Sequence, residues 1–236
     1  MDFIGIILPK KRSEIMSIKE NVERILKEIP KGVTVEAAAK TKTAEEIEEA
    51  IQAGITVIGQ NYMKDFKNTY WNVRSKAEWH FIGSCKTQKH DLLKPKFLQV
   101  IDMIETIDDY EFAKALNEKL VNLDKTMPVL IEVNSAEESQ KSGIMPDDVI
   151  EFAKSIAGFE NIKIDGLMTM GPAIEPEGLR KYFKLTKELF DELKNALGIE
   201  LNTLSMGMTD SYKVAIEEGA NLVRIGRAIF GKRIYT

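Results

Sequence analysis

A lysine follows a run of three alanines in segment 37–40, where a buried strand is predicted to end. Behind such small apolar residues, Lys40 is expected to have little solvent near its amine. Desolvation disfavours the ammonium form and leaves a free amine, which condenses with aldehydes. Lys42 could compete for this role, but we expect it to be solvated. The alternative for Lys40 is a side chain that only extends its charge to solvent at the rim of the fold.

Two other segments favour phosphate binding, SMGMTD (205–210) and RIGR (224–227). Each lies at the end of a predicted strand, and its small, flexible residues leave backbone N–H groups free at the start of a helix. Such groups bind phosphate without a cationic side chain. The alternative for the first segment is an ordinary helix start, capped by Thr209 or Asp210.

Arg224 lies on the last predicted strand, where alternation places it on the same face as Leu222 and Gly226. If the ligand of this site contains a pyridine ring, a fixed guanidinium beside the ring nitrogen keeps that nitrogen unprotonated, because a neighbouring cation disfavours a second positive charge. An unprotonated ring is a poorer electron sink. The alternative for Arg224 is an ion pair inside the fold, with Glu132 or Asp165 as the carboxylate.

The elements that must position these residues alternate along the chain as short apolar runs and longer amphipathic ones. Helices are predicted at 13–30, 44–53, 110–120, 147–157, 179–197 and 211–218, and strands at 33–39, 55–59, 78–82, 100–104, 129–133, 162–167, 202–205 and 222–225. This alternation predicts an α/β fold, a closed (β/α)8 TIM barrel with an extra N-terminal helix. The site of such a barrel lies at the C-terminal ends of its strands. A doubly wound open sheet is the competing arrangement.

Composition limits the remaining classes of function. The chain has 236 residues, of which 44% are hydrophobic and 30% are charged, and its net charge is −4. These values predict one domain over residues 1–236 and argue against a nucleic-acid surface, which needs a clustered basic face. A single cysteine, Cys85, excludes an internal disulfide, and no segment has the pattern of a signal peptide or a membrane span. We therefore expect a cytoplasmic protein that binds neither membranes nor nucleic acids.

Metal chemistry is not predicted. The chain has two histidines, His80 and His90, so a zinc site lacks ligands. Glu36 shares strand parity with Lys40 and is expected to point into the barrel, where an unpaired carboxylate is costly.

A series of short motifs runs over nearly the whole chain after residue 30. They are AKTKT (39–43), GQNY (59–62), WHFIG (79–83), Asn134 with Glu138, KSG (141–143), GLMTMG (166–171), LSMGMTDSY (204–212) and AIEEGANLVRIGRAIFG (215–231). In type and order they resemble the pyridoxal phosphate homeostasis protein family, whose barrel is similar to the N-terminal domain of alanine racemase. The resemblance implies the type III fold of pyridoxal 5′-phosphate (PLP) proteins, PLP as cofactor, and a role in vitamin B6 homeostasis.

The resemblance also implies the places of eight cofactor-binding residues. Lys40 forms a Schiff base with PLP, Asn61 lies beside the ring, and Arg224 faces the pyridine nitrogen. The phosphate is held by the remaining residues: Ser205 and the backbone of Gly226 and Arg227 bind it, and Met206 and Gly207 line the same turn. Several residues depart from the family pattern: Gln60 replaces a usual Glu, Lys86 and Gln88 replace Gln and Asn, Glu132 replaces Gln, and Arg227 replaces Thr. These departures bear on affinity and local contacts.

The function implied by the resemblance is PLP storage and delivery without turnover, so no catalytic residue is assigned. Lys40 would release the aldehyde when another amine attacks, and apo PLP-dependent enzymes would be the recipients. Alanine racemase needs a second, β-rich domain that supplies a catalytic tyrosine, and we expect none here. The alternatives are a small PLP-dependent amino-acid racemase and a barrel that binds other phosphate-containing ligands. We expect a monomer or a weak dimer.

Overall fold

The computed structural model describes residues 16–231, and its centre is a closed barrel of eight parallel strands. Each strand pairs with the next along the chain and the last pairs with the first, so the sheet has no free edge. The strands are β1 (Thr34–Ala38), β2 (Val57–Gln60), β3 (Glu78–Phe81), β4 (Met103–Ile107), β5 (Met127–Glu132), β6 (Ile162–Met168), β7 (Thr203–Met208) and β8 (Leu222–Ile225). The predicted (β/α)8 barrel is confirmed, and the open-sheet alternative is wrong.

Ten α-helices surround the strands within the described residues. They are α1 (Ile18–Glu28), α2 (Ala44–Gln52), α3 (Met63–Thr69), α4 (Cys85–Leu92), α5 (Pro95–Leu98), α6 (Tyr110–Val121), α7 (Val149–Ile156), α8 (Arg180–Leu197), α9 (Tyr212–Glu217) and α10 (Arg227–Phe230). The extra N-terminal helix is present as α1, and positions 13–15 of its predicted range lie outside the described residues. The sequence pattern did not predict α3, α4, α5 or α10. Each of these helices has only one or two turns, and so short a segment has no clear apolar period.

No helix in the range 16–231 is long and apolar enough to cross a membrane.

Local sequence signals set where several helices begin and end. Ser17 and Thr43 each accept a hydrogen bond from the backbone N–H three residues later, and a glutamate at that position bonds back to the capping residue. Helix α8 ends at Gly198, which has a left-handed φ of 63°. Because Thr43 caps α2 only three residues after Lys40, this cap limits the length of the loop in which Lys40 lies.

The apolar core lies between the barrel and its helices. Outward-facing strand residues such as Val35, Ile58 and Phe81 are buried against helix residues such as Phe66 and Phe112. The inner face of the barrel instead contains buried polar side chains, which we call the interior polar cluster: Glu36, His80, Glu105, Ser205 and Arg224. The candidate site therefore lies above a polar interior.

Two strands differ from their predicted bounds by three residues at one or both ends, and five others differ by one or two residues. The sequence predicts the fourth strand at 100–104, but β4 begins at Met103, because the backbone N–H groups of Val100 and Ile101 both donate to Phe97 and close the turn after α5. The seventh strand, predicted at 202–205, continues to Met208. This second difference changes which residues reach the C-terminal mouth of the barrel, the end where the strands finish.

Candidate cofactor-binding site

Lys40 lies in a tight turn directly after β1. The backbone N–H of Lys42 donates to the Ala39 carbonyl at 3.1 Å, and Thr41 has a left-handed φ of 63°. The backbone N–H of Thr41 donates to Asp65 Oδ2 at 2.9 Å, so helix α3 holds this turn in place. Sequence reasoning did not single out Asp65, because its acceptor role depends on packing between α3 and the end of β1.

The amine of Lys40 lies at the mouth, with Nζ 4.7 Å from the centroid of the Tyr62 ring. Lys40 is half-buried, so the expected desolvation of its side chain is partial. Within residues 16–231 its amine makes no hydrogen bond or ion pair. Lys42 differs: its Nζ bonds to Glu46 at 2.9 Å and to the Phe230 carbonyl at 3.4 Å. The side chain of Lys42 is 13% exposed, so it is less solvated than we expected.

Asn61 is fixed after β2 by a side chain from α4. Gln88 donates to the Asn61 carbonyl at 2.8 Å and accepts from the Met63 backbone N–H at 2.7 Å. The side chain of Asn61 donates to the Ile82 carbonyl at 3.3 Å. A Cβ on Gly83 would lie 1.8 Å from the Asn61 carbonyl oxygen, so only glycine fits there. Gln88, one of the departures from the family pattern, thus fixes the turn that presents Asn61 and Tyr62.

Thr209, Gly226 and Arg227 meet at the mouth after β7 and β8. The Thr209 hydroxyl accepts a hydrogen bond from the Ala228 backbone N–H at 3.3 Å. The Arg227 guanidinium pairs with Asp210 on the neighbouring loop, and both side chains are more than half exposed. Thr209 had been considered only as a helix cap. Its position directly after a strand was the signal that could have identified it as a candidate phosphate ligand.

Three residues expected around the phosphate lie inside β7 instead. Ser205 is 0% exposed, and its hydroxyl donates to Glu105 Oε2 at 2.6 Å and accepts from Arg224. Met206 is buried in the apolar core. Gly207 has a φ of 90°, and a Cβ there would lie 2.5 Å from Ala215 Cβ, so this glycine allows α9 to pack on β7. These three positions fall short of the mouth because β7 continues to Met208.

Arg224 points into the barrel and is 4% exposed. Its Nη2 donates to the Thr169 carbonyl at 2.8 Å, and its Nη1 donates to Ser205. The closest carboxylate oxygen is Glu105 Oε2, 3.9 Å from Nη1. The ion pair considered as the alternative for Arg224 is therefore present, but its carboxylate is Glu105 and not Glu132 or Asp165.

Glu36 and Glu105 lie side by side in the interior polar cluster with opposite shifts. Glu36 points inward as expected, and its carboxyl has no hydrogen-bond partner among the described residues. Burial, followed by the charge of Glu105, raises the pKa of Glu36 to about 8. Burial also opposes ionisation of Glu105, but the hydrogen bond from His80 and the charges of His80 and Arg224 outweigh it and lower its pKa. Glu105 is thus the ionised member of the pair.

His80 bonds to Glu105 through Nδ1 at 2.7 Å, and its Nε2 lies 3.8 Å from Glu78. Burial opposes the imidazolium form. The hydrogen bond to Glu105 and the nearby carboxylates of Glu78, Glu105 and Glu36 outweigh it, so the pKa of His80 rises to about 10. Ligand atoms of Glu36, His80 and Glu105 lie within 4.8 Å of one another, and in residues 16–231 this trio could hold a metal ion. Since His80 and Arg224 already balance the charge of Glu105, we assign no metal.

Comparison with known proteins finds relatives that match almost the whole chain. Residues 15–233 match the family described as alanine racemase, N-terminal domain. The pyridoxal phosphate homeostasis protein of Pasteurella multocida is 35% identical over 230 residues, which are 94% of this chain and 97% of that protein. The protein of the same name from Aquifex aeolicus is 35% identical over 93% of this chain and all of its own length.

The fold is also similar to that of PipY from Synechococcus elongatus, solved with PLP bound. The TM-score is 0.80 with 23% identity, and the match covers 91% of this chain and 100% of PipY. This similarity shows the fold, and the sequence matches over almost the full length identify the family. The chain belongs to the pyridoxal phosphate homeostasis protein family, built on the barrel of the alanine racemase N-terminal domain.

Proposed function

We propose that this protein binds PLP as a Schiff base on Lys40, serves vitamin B6 homeostasis in the cytoplasm, and releases PLP by imine exchange without catalytic turnover. The observation that carries the proposal is the amine of Lys40. It lies at the barrel mouth, half-buried, without a hydrogen bond or ion pair in the described part of the chain, while the neighbouring Lys42 is paired. A lysine in this position can react with an aldehyde because no carboxylate holds its charge.

The residues around this amine fit PLP. When bound, PLP supplies an aldehyde that condenses reversibly with a primary amine. Tyr62 lies beside Lys40, Asn61 precedes it in the turn after β2 and would lie beside the ring, and the Arg224 guanidinium lies below the mouth and would face the ring nitrogen. The Thr209 hydroxyl and the backbone of Gly226 and Arg227 would hold the phosphate.

Partial exposure of Lys40 supports delivery rather than permanent storage. A second amine must approach the same carbon for exchange to occur, and a fully enclosed lysine would prevent that approach. Apo PLP-dependent enzymes, whose own lysines accept the cofactor, are the recipients that this chemistry suits. A protein with one such site needs no partner subunit, so we expect a monomer or a weak dimer.

The proposal is tested by replacing each lysine in turn. After loading with PLP, we expect the wild type and Lys42→Ala to show the imine absorbance band and, after borohydride reduction, a mass adduct on residue 40. Lys40→Ala should lose both signals, because its amine is the one that reacts. The matched control is Lys42→Ala, which removes an amine two residues away. An adduct that persists on Lys42 in Lys40→Ala would overturn the assignment.

A further inference from the structure

A line of polar side chains, buried except for its first member, runs from the N-terminal end of the barrel to a point beneath the mouth. It starts at Glu78, whose side chain is 69% exposed at the N-terminal end of β3. It continues through His80 and Glu105 to Ser205, and it ends at Arg224 beneath the mouth. These residues come from strands β3, β4, β7 and β8, so the line exists only because the barrel is closed.

The hydroxyl of Ser205 has a fixed direction in this line. A serine hydroxyl has one hydrogen, and Glu105 is ionised, so the hydrogen must point to Glu105 Oε2 at 2.6 Å. The oxygen lone pairs are then free to accept from Arg224 Nη1. A hydroxyl that donates to a carboxylate is a better acceptor than an isolated one, because adjacent hydrogen bonds polarise each other.

Two hydrogen bonds fix the plane of the Arg224 guanidinium. Ser205 holds Nη1, and the Thr169 carbonyl holds Nη2 at 2.8 Å. In the described part of the chain no further hydrogen bond uses the other N–H groups of Arg224. Because its plane is fixed and donors are left over, Arg224 can offer an N–H in one direction without rearranging.

We propose that Glu105, through Ser205, positions Arg224 against the ring nitrogen of PLP, and that His80 holds Glu105 in place. This inference rests on the proposed function. It assigns Ser205 to positioning and removes it from phosphate binding. Neither Glu105 nor Ser205 needs to touch the cofactor, so both are positioning residues that act through Arg224.

The experiment uses PLP labelled with 15N at the ring nitrogen, bound to the full chain at neutral pH. The 15N chemical shift reports whether this nitrogen is protonated. In the wild type we expect the shift of an unprotonated pyridine. In Glu105→Gln and Ser205→Ala the shift should move toward that of a pyridinium, because Arg224 is no longer fixed against the nitrogen. Borohydride trapping of each variant measures how much PLP is attached.

The matched control is Glu36→Gln, a substitution of the same type in the same cluster. Glu36 makes no hydrogen bond in the described chain, so its variant should keep the wild-type shift. A wild-type shift in both Glu105→Gln and Ser205→Ala, with the adduct intact, would overturn the inference. Should Glu105→Gln fail to fold, Ser205→Ala decides alone, since it removes one oxygen atom. Absence of the adduct from the wild type would instead refute the proposed function, and the inference with it.

Discussion

Lys40 and Lys42 are two residues apart and have the same chemistry, yet their surroundings differ. Lys42 turns toward α2 and α10, where Glu46 and the Phe230 carbonyl hold its ammonium. Lys40 stands beside an aromatic ring instead, which leaves its amine free of strong acceptors. The left-handed residue between them, Thr41, turns the backbone and separates the two side chains. The left-handed conformation of Thr41 thus directs Lys42 toward its structural contacts and Lys40 toward the mouth of the barrel.

Burial of the Glu36 carboxyl costs free energy, because no hydrogen bond compensates for it within residues 16–231. The carboxyl is fully buried, and Gly59 on the neighbouring strand leaves just enough space for it, since a Cβ there would lie 2.0 Å from Oε1. Because the pKa of Glu36 is about 8, the folded protein keeps this carboxyl protonated at a pH where the unfolded chain is ionised. For each unit by which the pKa in the folded state exceeds the pKa in the unfolded chain, the folded state is destabilised by roughly 1.4 kcal/mol. This loss is complete at a pH above both pKa values.

We predict that Glu36→Gln stabilises the protein in a pH-dependent manner. In the wild type this carboxyl lowers the free energy of unfolding as pH rises from its ordinary pKa of 4.5 to about 8. Glutamine cannot ionise, so the variant should gain on the order of 5 kcal/mol at alkaline pH and little at acidic pH. Urea unfolding over this pH range measures the difference. Exposed Glu111→Gln is the control, and a variant that is equally destabilised at every pH would contradict the prediction.

At the scale of elements, the ends of the strands decide which side chains reach the site. Ser205 appears in the sequence as the last residue of an apolar run, but β7 continues three residues further and places Thr209 at the mouth instead. The pairing of β7 with β8 is also irregular between Ser205 and Met208. Such a shift of register changes which residues lie at one level around the barrel.

We predict that Thr209, and not Ser205, senses the phosphate of the ligand. Thr209→Val keeps the shape of the side chain but loses the hydroxyl, so it should weaken PLP binding about 10-fold, the value of one hydrogen bond to a charged group. Pyridoxal, which lacks the phosphate, should bind this variant and the wild type equally. Titration calorimetry measures both ligands.

The control for this comparison is Ser205→Ala. It should affect PLP and pyridoxal by the same factor, since its hydroxyl contacts Glu105 and Arg224. If Ser205→Ala weakened PLP alone, the placement of Ser205 away from the phosphate would be wrong.

The sequence predicted the barrel, its order and most helices, because strand and helix periods are local properties. It also predicted that Glu36 points inward, from parity alone. The sequence pattern could not give the bounds of β4, because Val100 and Ile101 have the apolar character of strand residues but close a helical turn. It could not place the partners of Arg224 either, since Glu105 and Ser205 are far apart in the chain and meet only across the closed barrel.

At the scale of the whole molecule, the barrel interior holds ionisable side chains as well as apolar ones. Glu132, at the end of β5, adds a further ionisable group, and burial followed by the charge of Asp108 raises its pKa to about 7. Cys85 is different, because burial raises the pKa of its thiol and leaves it unreactive. Two carboxyls with raised pKa values, Glu36 and Glu132, therefore lie inside the barrel and at the end of β5.

We predict no multiple turnover with amino acids. Racemisation needs proton transfer on both faces of the substrate Cα, and it is favoured by a ring that accepts electrons. Arg224, if it faces the ring nitrogen, makes the ring a poor acceptor. Incubation of the PLP-loaded protein with L- and D-amino acids in D2O, followed by NMR at Cα, measures inversion. Repeated inversion that is lost in Lys40→Ala would favour the racemase alternative, whereas slow exchange with retention would not.

The seam between β1 and β8 has a consequence for how the protein acquires its ligand. Glu36 is opposite Arg224 in this seam, and the Asn21 side chain of α1 donates to the Ile229 carbonyl of α10 at 3.1 Å. Lys40 follows the first strand of the barrel, and Gly226 follows the last. Under the proposed function, a growing chain exposes its reactive lysine early but completes its set of phosphate ligands only when the final strand has been synthesised. Stable capture of PLP would then mark a finished barrel, and the bound ligand would resist reopening of the seam.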